Sequence, residues 1–114
     1  MVDTEARTKA RRISKERNLA ALANDTKWSE FFAEIHLKSI ELEVKFIYVD
    51  APTRPGRIWM PTTNYLEGIQ MGPELFVFIE WVRSCDSENV SKIAKHVGLE
   101  YFVSEDEITV YGYK

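Results

Sequence analysis

From Leu75 to Val82 the chain is apolar at every position but Glu80. A run this short, entered through Gly72-Pro73 and left at Arg83, is well under the roughly 20 residues that span a bilayer. It reads instead as a strand buried on both faces, central in a sheet. A central strand needs partners on both sides, and the rest of the chain has to supply them.

Downstream, Asp86 or Ser87 offers a helix N-cap, Val90, Ile93, Ala94 and Val97 recur at helical spacing, and Gly98 stands at the C-terminal end. Glu100 to Ser104 and Ile108 to Tyr113 then flank the acidic turn Glu105-Asp106-Glu107 and predict a hairpin. Upstream, Val44, Phe46 and Tyr48 alternate with Lys45, Ile47 and Val49 in β-branched and aromatic types, predicting a strand over 43–50. The prolines and glycine of 51–56 permit a reversal, and Arg57 to Met60 reads as the returning strand of a proline-tipped hairpin. The stretch from Pro61 to Gly72 has no clear period and reads as loop with a short strand.

Before these strands, Asn24, Asp25 and Thr26 offer cap oxygens for a helix over 27–37 carrying Trp28, Phe31, Phe32 and Ile35. Residues 3–23 lack Gly and Pro and are rich in helix formers. Before Leu19 they hold only Ala6, Ala10 and Ile13 as apolar residues, which predicts that the first dozen residues fray. The order ααβββαββ, without regular βα alternation, predicts an α+β domain: a mainly antiparallel sheet of about five strands with helices packed on one face. At 114 residues there is room for one domain, able to bury somewhat under ~70% of its unfolded surface without metal or disulfide.

Charge divides the chain. Residues 1–27 hold seven Lys or Arg against four Asp or Glu, while 28–114 hold eight against fourteen, so a +3 segment precedes a −6 remainder. The predicted organisation is a basic arm over 1–18 followed by an acidic domain over 19–114. No apolar run of secretory type follows the basic start, and the one cysteine, Cys85, allows no internal disulfide; both fit a cytoplasmic setting.

The motifs of catalysis are not written here. There is no glycine-rich phosphate loop, nucleophile elbow or Ser-x-x-Lys pattern, and the two histidines, His36 and His96, stand in no metal-ligand spacing. The expectation is a non-enzymatic protein without metal or cofactor. His96, before Gly98, reads as a charge favourable to a helix C-terminus, His36 as solvent-facing, and Cys85 as an ordinary half-buried thiol. Glu80 breaks the pattern of its own strand. It shares a face with Phe76, Phe78 and Val82 and must pair, with Arg57 or Arg83 as candidates, or reach water.

Candidate partner-binding residues follow from type and place. Arg54, Arg57 and Trp59 lie on or beside the proline loop and Tyr65 follows it; Trp and Tyr beside Arg often anchor interfaces, although core placement is the simpler reading of Trp59 and Trp81. Glu80 and the turn Glu105, Asp106 and Glu107 complete the set. For nucleic acid the candidates are Arg7, Arg11, Arg12 and Arg17, diluted by Glu5 and Glu16.

The segments Asn24-Asp25-Thr26-Lys27-Trp28, Phe78-Ile79-Glu80-Trp81-Val82 and Ile108-Thr109-Val110-Tyr111-Gly112-Tyr113 together resemble a family of small bacterial cytosolic proteins, a domain of unknown function. The resemblance covers the chain from Asn24 onward and implies a bacterial cytosolic source, with no catalytic residues to carry over. Some small acidic bacterial α+β proteins of similar build serve as immunity proteins, which is an analogy of fold alone. The leading expectation is thus a protein-interaction domain, an immunity or antitoxin-type inhibitor whose acidic body masks a basic toxin. The alternatives are a nucleic-acid-associated regulator using the basic arm and a small-ligand binder or enzyme with Glu80 in its pocket. An open sheet edge is compatible with a homodimer under all three.

Overall fold

A computed structural model describes residues 3–114. Its elements are α1 (Asp3–Glu16), α2 (Asp25–Leu37), β1 (Glu43–Phe46), β2 (Tyr65–Gly68), β3 (Met71–Leu75), a single 3-10 turn (Phe76–Phe78), β4 (Ile79–Ser84), α3 (Ser87–Val97), β5 (Glu100–Val103) and β6 (Ile108–Tyr111). Four strands form an antiparallel sheet in the order β1-β4-β6-β5, and β2 and β3 form a separate antiparallel pair. The class is the α+β expected, with the strands divided between two sheets.

The segment over 75–82 is central, because β4 pairs with β1 on one side and β6 on the other. It becomes a strand only at Ile79, since Phe76 to Phe78 turn as a 3-10 helix that sinks Phe76 and Phe78 into the core. Val44, Val82 and Val110 sit opposite one another across three strands and are all fully buried. Beneath them, α2 and α3 pack together; the rings of Trp28, Phe31 and Phe32 meet one another at centroid distances of 5.2–5.6 Å, and Phe32 meets Phe76 at 5.6 Å. Each such aromatic contributes roughly 1.5–3 kcal/mol through burial.

All three helices end in the same way. The N–H groups of Leu19, Ile40 and Leu99 reach back to the carbonyls of Ser14, Ile35 and Ala94, each across a residue at positive φ: Asn18, Ser39 and Gly98. Gly98 advertises that conformation by its type, Asn18 more weakly, and Ser39 not at all. The helix predicted over 3–23 therefore stops at Glu16. Residues 20–22 run extended beside the C-terminus instead, with Ala20 and Lys114 exchanging hydrogen bonds of 3.0 and 3.1 Å and Leu22 N–H donating to Gly112 O.

In place of the frayed arm expected, α1 is seated on the 3-10 turn with Ala6 0% and Ala10 1% exposed. Small side chains let the helix approach closely, so the segment docks with little apolar area of its own. One other expectation is corrected and one is extended. Arg57 to Met60 forms no strand back along β1; Ile58 bridges Gly68 and Trp59 N–H donates to Glu67 O, so the segment follows β2. The stretch over 61–72 supplies β2 and the start of β3, a hairpin whose period is hidden by a register shift between Leu66 and Gly68.

Candidate functional site

Glu80 is the extra residue of a β-bulge. Lys45 pairs with Trp81 and Phe46 with Ile79, leaving Glu80 unmatched on β4. A bulge re-aims side chains, and here it brings the carboxylate within 2.7 Å of Lys45 Nζ instead of leaving it in the core with Val82. From α1's end, Arg17 donates through both terminal nitrogens, at 2.5 and 3.1 Å, and also reaches Ile47 O. Burial alone would push the Glu80 carboxyl up, but the hydrogen bonds and charges of Arg17 and Lys45 outweigh it and hold the carboxyl below its ordinary value. The Glu80 carbonyl is also used, accepting from both Gly112 and Tyr113 N–H. The expected partners Arg57 and Arg83 are thus replaced by Arg17 and Lys45, which sequence separation hid.

The sheet's second face carries no such core. Phe102, Thr109, Arg83 and Glu43 lie opposite one another in one row, and Glu100, Tyr111, Trp81 and Lys45 in the next. All but Lys45, whose side chain is only 12% exposed, are exposed or half-exposed, whereas Val44, Val82 and Val110 of the other face are buried. The Arg83 guanidinium lies 4.2 Å from the Trp81 ring centroid, a cation–π contact. Glu43 and Glu107 each stand 3.6 Å from it, and its Nε is buried without a hydrogen-bond partner. Lys114 Nζ covers Tyr111 at 5.0 Å from the ring. The result is a rigid surface of aromatics and one stacked arginine, edged by carboxylates.

Several concavities adjoin this body, one of them lined by the Glu80 partners Arg17 and Lys45, and two others hold candidate residues. The first, about 530 Å³, is lined by Lys38, Glu43, Arg57, Arg83, Cys85 and Glu107 among others. The second, about 610 Å³, runs between Lys9 of α1 and the β2–β3 hairpin, with Tyr48, Tyr65 and Phe78 as its aromatic wall. Tyr48 donates to the Glu74 carboxylate, and burial followed by that hydrogen bond pushes its phenol well up. Glu80 lines neither hollow.

The structure therefore brings Arg57 and Glu107 together in the first hollow, places Tyr65 in the second, and leaves Arg54 exposed on its loop. Glu105 and Asp106 are exposed at the hairpin tip. Trp59 is surface, at 52% exposure, and not core; Trp81 is half-buried beneath Arg83. His36 is not solvent-facing but half-buried, its Nδ1 3.0 Å from Ile58 O, which makes that nitrogen the donor. Cys85 is exposed on the wall of the first hollow. Among the arginines of the arm, Arg17 is held by Glu80 and Arg7 meets Asp25 at 2.6 Å, while Arg11 and Arg12 are exposed.

Tyr111 and Phe102 were missed as surface aromatics. The signal was the strict alternation of β6, which sends Tyr111 opposite to Val110. Among the described residues no three His, Cys, Asp or Glu side chains gather as a metal-holding group, and no helix is long and apolar enough to cross a membrane. The chain matches no protein-family model, and no curated protein or solved structure is significantly similar to it.

Proposed function

We propose that this chain is a non-enzymatic protein-interaction domain of the immunity or antitoxin-inhibitor type, binding a basic protein through the second face of its sheet. The observation that carries the reading is the Arg83–Trp81 stack between Glu43 and Glu107, beside Tyr111 and Phe102. Aromatic and arginine side chains on a rigid support bury large area with few torsions to freeze, the composition of interface anchors. The −6 balance of residues 28–114 would speed encounter with a cationic partner. The bacterial cytosolic setting implied by the resemblance belongs to the same proposal.

The alternatives have less to work with. A nucleic-acid regulator would depend on an arm in which Arg7 and Arg17 already meet carboxylates. A ligand site at Glu80 would have to displace Arg17 and Lys45 from its carboxylate. The test is a pull-down of the tagged protein from its native lysate with and without nuclease, repeated with a Trp81→Ser, Arg83→Ala double variant. A stoichiometric protein that survives nuclease and is lost with the folded double variant supports the reading. Capture of nucleic acid, or of the same protein by both forms, overturns it.

A further inference from the structure

The four-stranded sheet ends on β5, and every residue of that strand is exposed, with Tyr101 at 37%, Phe102 at 60% and Val103 at 46%. Its unpaired backbone groups can be assigned. Ser104 N–H donates to Glu107 O at 2.9 Å, and the register pairs Val103 with Ile108, Phe102 with Thr109 and Tyr101 with Val110. Hydrogen-bonded and non-hydrogen-bonded pairs alternate along an antiparallel ladder. Ser104–Glu107 and Phe102–Thr109 are then hydrogen-bonded pairs, and Tyr101 and Val103 direct their N–H and C=O groups away from β6 to the open edge.

Edge strands are commonly guarded by Lys, Pro, a bulge or a covering segment. Beyond its shortness, β5 has none of the first three: its sequence is Glu-Tyr-Phe-Val, in unbroken register with β6. Its ends are acidic, with Glu100 at one and Glu105, Asp106 and Glu107 at the other. Lys95 and His96 close the neighbouring helix α3, and Arg83 already pairs with Glu107. A second copy laid antiparallel would bring Glu100 towards the other copy's Glu105 and Asp106, like charge against like, so the edge suits a partner of opposite sign.

We infer that β5 is a strand-addition site for an extended basic segment of the partner protein, apolar at alternate positions and carrying Lys or Arg at its ends. Backbone pairing at Tyr101 and Val103 would give the register, and the acidic ends would select the charge. This inference rests on the function proposed above, since it names how that partner is held.

The probe is a capped synthetic peptide, Lys-Val-Thr-Val-Thr-Val-Arg, added to the full isotope-labelled chain while amide hydrogen exchange is followed. The amides of Tyr101 and Val103 should gain at least about fivefold protection at saturation, with those of Glu100 and Phe102 little changed. A peptide with Glu at the charged positions should bind at least about tenfold more weakly. Val103→Pro removes one outward donor and should abolish binding. Should that variant fold poorly, Val103→Lys keeps the backbone, adds repulsion, and should weaken binding about tenfold. Protection elsewhere, no protection, or equal binding of the reversed peptide overturns the inference. So does protection of Tyr101 and Val103 without peptide that rises with protein concentration, which would mean that a second copy occupies the edge. If the peptide fails while the Trp81, Arg83 double variant still loses its lysate partner, strand addition alone falls; the opposite pattern removes the proposed function and leaves the edge.

Discussion

The two edges of the sheet are built from strands of equal length, four residues each, yet one is sealed and the other is bare. Along β1, the proline-containing segment folds back as a cover. Thr53 Oγ1 accepts from Val44 N–H at 3.0 Å, Thr53 N–H donates to Val44 O at 2.9 Å, and Leu42 and Gly56 exchange backbone hydrogen bonds. Along β5 nothing comparable arrives among the described residues, and three large apolar side chains stay in water. Pro52 and Pro55 have no N–H to offer a further strand, so the cover on β1 is also a stop. An edge is closed by what lies outside the strand. The alternation of β1 and the composition of β5 say little about which will be covered.

Substitutions test the contrast, and the largest effect belongs between the two edges, where the end of β6 meets β4. Gly112 lies where the C-terminal segment crosses the Glu80 bulge; an added Cβ would stand 2.2 Å from Ile79 O and 3.2 Å from Trp28 Cζ2. Gly112→Val should cost about 3 kcal/mol or more, because the obstacle is backbone and cannot swing aside. Urea unfolding measures it, and a loss below about 1 kcal/mol would mean that the crossing is looser than described.

Glu80→Ala comes next. It strands the largely buried Lys45, whose side chain is 12% exposed, but Arg17, at 40%, regains water, so about 2–3 kcal/mol is expected, less than for a fully buried pair. The same contact fixes a pH dependence. A carboxyl held below its ordinary value of 4.5 contributes stability that is present above that value and lost as pH falls through the lower, folded-state one. Unfolding free energy should therefore fall on the acid side of about pH 4.5 in the natural chain, and Glu80→Gln should flatten that part of the profile.

Thr53→Val keeps the shape of the cover but removes the acceptor for Val44 N–H, and should cost about 1–2 kcal/mol. At the bare edge, Phe102→Lys should leave stability within about 0.5 kcal/mol, because that ring is 60% exposed, while weakening partner capture. A thermal melt paired with the pull-down separates the two effects. A large stability loss at Phe102 would show that β5 is covered after all and erase the contrast.

Several elements were legible because their causes are local. The Asn24 and Asp86 side chains accept from Lys27 and Asn89 N–H at 2.8 and 3.2 Å, within three residues of themselves, as their types suggested. The apolar run through Leu75 to Val82 located the central strand, although Leu75 ends β3 and Phe76 to Phe78 turn as a 3-10 helix. Asn18 and Ser39 end their helices in a conformation that neither residue type requires, so the true end of α1 was invisible. Of the candidate site, Glu80 was flagged as out of place and Glu107 as surface, but their actual partners were not named. Arg17 lies 63 residues from Glu80 and Lys45 lies 35 away.

The α+β class, the helices α2 and α3, the central strand and the division of charge between the first 27 residues and the rest were all written in the order of residues. Each follows from periodicity, caps or counts, which act within a few residues or need no geometry. Tertiary structure alone decided that a bulge turns Glu80 towards Lys45, that α1 docks through two alanines, and that a threonine loop seals one sheet edge while the other stays open. Those outcomes depend on which distant segments meet, and loop closure costs so little more with each added residue that no short stretch of sequence specifies the meeting.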